Sequence, residues 1–98
     1  VSQDVIYFKA INDQEVIARL IEETETHYTI EKARVLATQP GKEPGQITIG
    51  LVPWFMGDPD GTVDVSKAHV FARLMTPPKE LEKGYLQQTS GLDLGPMG

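Results

Sequence analysis

The chain contains no cysteine. That excludes a disulfide framework, a thiolate-held zinc or iron–sulfur centre and thiol catalysis, and it fits a cytosolic setting. Aromatic residues are few, at 7% with a single tryptophan, so each one carries weight in any core or binding surface. Positive charge is short as well. Nine Lys and Arg face fourteen Asp and Glu, for a net charge of -5. Bulk electrostatic capture of nucleic acid needs cationic surface to release counterions, and docking on anionic membranes needs it too. The balance argues against both and leaves room only for a local basic site. No apolar run approaches the roughly 18 residues of a membrane span, and no basic-then-apolar leader stands at the start, so neither a span nor a signal peptide is expected.

What is present is an ordinary globular composition in 98 residues, with 40% hydrophobic and 23% charged residues. That length suits one domain with a modest core. Residues 5–11 are rich in β-branched and aromatic side chains and predict a strand. After the turn Asn12-Asp13-Gln14, residues 15–21 predict a second strand, with Val16, Ala18 and Leu20 on one face and Glu15, Ile17, Arg19 and Ile21 on the other. The acidic stretch Glu22-Glu23-Thr24-Glu25 reads as a solvated turn. Further strands are expected over 27–37, 46–55 and 70–75, and 62–65 is extended. Segments rich in Pro and Gly separate them. Thr76 and Pro77 suit a helix start, and Leu81 and Tyr85 share a face four residues apart, predicting a short helix over 77–88 that Gly84 weakens. Residues 91–98 read as a loose tail. Five short strands with brief turns imply a small, strongly bent antiparallel sheet or barrel, and several five-stranded folds satisfy that pattern.

The order and spacing of the short motifs resemble the Sm/LSm family, which includes bacterial Hfq, over residues 4–75. Ala18-Arg19-Leu20 stands where that family has Gly-x-Leu. Thr26-His27-Tyr28-Thr29-Ile30 stands at its Asp-x-(aromatic or His)-Met-Asn-Leu, and Val65-Ser66-Lys67-Ala68-His69-Val70 at its Ile-Arg-Gly-x-x-Val. The departures are specific. Ser66 replaces the arginine, Lys67 the glycine and Thr29 the asparagine; the helix sits at the C-terminal end; and residues 53–62 resemble an insertion. The segment 82–91 is also similar to small Sm-like proteins of marine cyanophage type.

The resemblance implies a mostly β, SH3-like barrel of five bent strands over residues 1–76, followed by the helix at 77–90 and the tail. It also implies a homo-oligomeric ring of about five to seven copies, because paired edge strands remove the liability of an open edge. Its function would be non-catalytic binding of single-stranded RNA or DNA, in RNA processing in the infected host's cytoplasm, with no cofactor. His27 would stack on unpaired bases, with Tyr28 and Thr29 beside it, while Ser66, Lys67 and His69 would meet phosphate or base edges near the pore. The alternative is a structural or protein-interaction ring of phage origin that ignores nucleic acid and docks through Trp54, Phe55 and Met56. Lys32 and Arg34 read as a solvated face or, in a ring, a basic band.

Other chemistries find little footing. Asp58-Pro59-Asp60-Gly61-Thr62-Val63-Asp64 hints at a calcium loop, but His69 stands where the distal glutamate belongs. Neither histidine has a close second ligand for zinc, and Ser66 near His69 lacks the orienting acid and oxyanion hole of a nucleophilic triad.

Overall fold

The computed structural model describes residues 5–90. They form six strands: β1 Val5–Ala10, β2 Glu15–Glu23, β3 His27–Pro40, β4 Ile47–Pro53, β5 Thr62–Ser66 and β6 Val70–Leu74. A single 3-10 turn, Lys67–His69, joins β5 to β6, and the helix α1 Lys79–Ser90 follows. All pairings are antiparallel. The sheet runs β4-β3-β2-β1-β6, with β5 also on β3.

β3 organises the sheet because it is long enough to serve three partners. One edge carries β2; the other carries β5 against residues 27–31 and β4 against residues 34–40. The extended segment at 62–65 is therefore a sixth strand, and the expected strand over 46–55 ends at Pro53, where the chain leaves the ladder. The sheet is not closed into a barrel. Among the described residues no ladder joins β5 to β6; the chain itself makes that passage through the 3-10 turn.

Bulges produce the bend. Ile17 lies opposite Arg34 and Arg19 opposite Glu31, so Ala18 faces two residues, Lys32 and Ala33. Lys32 takes the left-handed conformation (φ 56°) that such a bulge asks of its first residue, a position glycine fills most easily. A second irregularity lies at Ile21, and a third in β6, where Phe71 is the extra residue between Val70 and Ala72. Each turns the strand and increases its twist.

The sheet is buried on both faces. On the concave face Ile6, Phe8, Ala10, Val16, Ala18, Tyr28, Ile30, Ala33 and Val65 form the main core. On the convex face α1 lays Tyr85 against Val5 and Ile17, with Leu81 and Leu86 nearby. Ile17 and Tyr85 are both fully buried. Burying a side chain of this size is worth about 1.5–3 kcal/mol. The helix thus covers what would otherwise be an exposed apolar face.

The helix begins at Lys79 rather than Pro77. Pro77 precedes Pro78, and a residue before proline is pushed out of the α region, so neither it nor Thr76 starts the helix. The Pro78 carbonyl instead accepts the first helical bond, from Glu82 N at 2.9 Å. The tail expected over 91–98 lies outside the described residues.

Candidate nucleic-acid interface

The β3–β5 ladder gathers most of the expected site residues at one end of the sheet. His27 lies opposite Ser66, Tyr28 opposite Val65 and Thr29 opposite Asp64. The Lys67 amide donates to the Thr26 carbonyl at 2.8 Å, which ties the 3-10 turn to the tip of the β2–β3 hairpin. Ser66 caps that turn, its hydroxyl accepting from Ala68 N at 3.2 Å. Residues thirty-nine apart in sequence, His27 and Ser66, thus become neighbours through backbone pairing.

His27 is exposed, and its Nδ1 lies 2.8 Å from the Thr26 hydroxyl. The ring is therefore oriented but open to solvent. Thr29 donates to Asp64 Oδ1 at 2.8 Å, an acidic partner the sequence did not single out.

Tyr28 sits at the rim of the core. Its side is buried against Phe8, with ring centroids 6.4 Å apart and planes 16° from parallel. Lys67 Nζ lies 5.0 Å from the centre of the Tyr28 ring and the Arg73 guanidinium 5.4 Å from it. Both distances are in the range where a ring's quadrupole attracts a cation. Between the cations stands Glu23, with Oε2 2.7 Å from Lys67 and Oε1 3.6 Å from Arg73. The hydrogen bond from Lys67 is the main reason the Glu23 carboxyl is held below the usual carboxylate range.

Glu23 and Arg73 are the two members of this cluster that sequence reasoning missed. Glu23 was expected in a solvated turn, yet β2 extends to include it. Arg73 points to the core side because the bulge at Phe71 resets the alternation, bringing Arg73 opposite Phe8. No pattern in residues 70–75 announces that bulge.

His69 closes the 3-10 turn that begins at Lys67. Its carbonyl accepts from Ile11 N at 2.9 Å, and it lines an open hollow of about 370 Å³ with Ile11, Trp54, Phe55 and Ser66. Trp54 packs edge-on against Phe8 at 6.3 Å and donates to Gln14 Oε1 at 3.2 Å, so it is half core and half surface. Phe55 and Met56 beside it are exposed.

The solvated basic face expected of Lys32 and Arg34 does not form. Arg34 is buried, donating to the Pro59 carbonyl at 2.6 Å and to Asp60 Oδ1 at 2.9 Å. Lys32 reaches the Thr89 carbonyl at 3.3 Å in the last turn of α1. The bulge between them sends the two side chains to different tasks. Arg34 holds the 54–61 loop, and Lys32 places a cation at the negative end of the helix.

Among the described residues no group of three or more His, Cys, Asp or Glu side chains stands together as a metal site. No described helix is long and apolar enough to cross a membrane. Neither protein-family models nor curated proteins yield a match to this chain.

Proposed function

We propose that this chain is an Sm-like, ring-forming protein that binds single-stranded RNA or DNA without catalysing a reaction, acting in RNA or nucleic-acid processing in the cytoplasm of a phage-infected host. The observation that carries this reading is the backbone proximity of His27, Ser66 and Lys67: the β3–β5 ladder sets His27 opposite Ser66, and the Lys67 amide donates to the Thr26 carbonyl. An exposed imidazole suits stacking on an unpaired base, and a lysine with a hydroxyl beside it suits phosphate or a base edge. The strand order lends support, since β5 passes to β6 through a one-turn link and β6 pairs with β1. Among the described residues the outer strands β4 and β6 leave edges unpaired and expose Ile47 and Ile49, and Phe71 and Leu74. Open apolar edges favour pairing with further copies, and a closed ring removes them. Repeating Lys67 around a ring would build a local positive field despite an acidic total.

Fluorescence anisotropy tests the reading, using labelled U-rich and A-rich RNA at low and physiological salt on protein whose oligomeric mass is established. The expected result is micromolar or tighter binding with a base preference, weakened at least tenfold by Lys67→Ala and by His27→Ala; stacking alone is worth about 1–3 kcal/mol per base. Absence of binding at low salt would sink it.

A second reading, a protein-docking ring that ignores nucleic acid, is favoured by the Glu23 carboxylate that neutralises Lys67 and by the net charge of -5. Its docking surface would be exposed Phe55 and Met56. Phe55→Ala with Met56→Ala would then abolish partner capture, while RNA leaves the anisotropy flat.

A further inference from the structure

We propose that Lys67 and Arg73 form a phosphate seat, that Glu23 fills it in the free protein as an internal stand-in, and that a phosphate of single-stranded nucleic acid displaces Glu23 on binding. The identity of the occupant rests on the nucleic-acid reading above; the seat itself does not.

Two cations converge on one ring. Lys67 Nζ and the Arg73 guanidinium lie 5.0 and 5.4 Å from the Tyr28 centroid. Like charges gathered this way call for an anion between them, and Glu23 supplies it. Its fit is incomplete. The contact to Lys67 is a good hydrogen bond at 2.7 Å, but the nearest approach to Arg73 is 3.6 Å, beyond the usual range. Arg73 Nε is buried and has no hydrogen-bond partner among the described residues. A buried donor left unpaired is costly.

The misfit has a geometric cause. A guanidinium presents its N–H groups as a planar fork and is best met by two oxygens at once. A carboxylate has only two oxygens, in one plane, and Glu23 commits one of them to Lys67. Phosphate oxygens are arrayed tetrahedrally, so a phosphate between the cations can serve the lysine and the arginine fork together.

Glu23 is also placed to leave. It is the last residue of β2, beside the hairpin tip, and residues 21–27 are all exposed. Moving its side chain into water opens no hole in the core. The seat lies at the hairpin end that carries His27, because Lys67 N is bonded to the Thr26 carbonyl and Ser66 lies opposite His27 in the ladder. A phosphate in the seat would hold its strand at the hairpin end that carries His27. Glu23 then acts as an internal competitor that sets affinity and rejects weak anions.

The test removes the stand-in while keeping its shape. Glu23→Gln should bind U-rich RNA about tenfold more tightly than the unaltered protein at low salt, with a salt slope steeper by about one. Adding Arg73→Gln should cancel that gain. In parallel, pyrophosphate is titrated into Glu23→Gln while the Arg73 Nε–H resonance is followed by NMR, and it should shift in a saturable way. If pyrophosphate leaves that resonance unmoved, the seat is overturned, whatever RNA does. If pyrophosphate moves it but Glu23→Gln gains nothing for RNA, the seat stands and the nucleic-acid occupant is overturned. RNA binding that depends on Lys67 but is indifferent to Glu23 and Arg73 overturns the displacement while the reading under Proposed function survives.

Discussion

The Tyr85 hydroxyl donates a 2.9 Å hydrogen bond to the carbonyl of Lys32, the residue that takes the left-handed conformation in the β3 bulge. It also lies 3.4 Å from the carbonyl of Glu31. The bulge shifts the β2–β3 register there, and the helix supplies a donor to the backbone at the shift. One aromatic residue thus does two jobs: its ring covers Ile17 and Val5, and its hydroxyl satisfies the kink that bends the sheet.

Tyr85→Phe separates those jobs. The ring stays, the hydroxyl goes, and two part-buried carbonyls lose its donation, at a cost of about 0.5–1.5 kcal/mol. Tyr85→Ala also opens a cavity and costs about 3–5 kcal/mol. Urea unfolding of both variants checks the order; equal losses would mean the hydroxyl contributes nothing.

Burial pushes the Tyr85 phenol up to about 12, and burial together with the Glu15 carboxylate that accepts its hydrogen bond pushes Tyr7 up to about 12 as well. The unfolded chain loses these protons near pH 10, while the folded chain keeps them. Stability contributed by these groups is therefore complete below about pH 10 and is lost as pH rises from about 10 to 12. Denaturation midpoints measured across that window should fall, and Tyr85→Phe should flatten part of the fall.

Arg34 is buried and holds the 54–61 loop through Pro59 and Asp60, whereas Asp60 is largely exposed. Removing the two partners should therefore have unequal effects. Arg34→Ala loses packing and several bonds and should cost about 2–4 kcal/mol, with faster hydrogen exchange across 54–61. Asp60→Asn should cost under about 1 kcal/mol, because the carboxylate is solvated.

Gly84 lies inside α1, and a Cβ added there would meet no atom within 4 Å. Gly84→Ala should therefore raise stability by about 0.5–1 kcal/mol through the backbone entropy that glycine loses in a helix. Thermal melting reads this directly. A loss of stability would contradict the open space beside Gly84.

Much of the secondary structure was legible. The β-branched run at 5–10, the alternation of Val16, Ala18 and Leu20 and the turn at Asn12-Asp13 all sit where local propensity puts them, and Asp13 takes the positive φ of a tight turn. The limits of the helix were less legible, because the Pro77-Pro78 pair satisfies one start rule and breaks another. The site was legible only in part. His27, Ser66 and Lys67 stood out through the resemblance of their segments to family motifs, but Glu23 looked like one of several solvated acids and Arg73 like one strand residue among five.

The sequence by itself determined the β-rich class, the helix at the end and the acidic balance, because composition and periodicity act locally. Tertiary structure alone decided which residues meet. Pairing of β3 with β5 set His27 opposite Ser66, and the bulge at Phe71 turned Arg73 toward Tyr28. The bulge at Lys32 buried Arg34 and called Tyr85 down onto the sheet. A one-residue shift in register reverses every side chain beyond it, and its stability depends on partners distant in the chain. Local patterns carry no record of where such shifts fall.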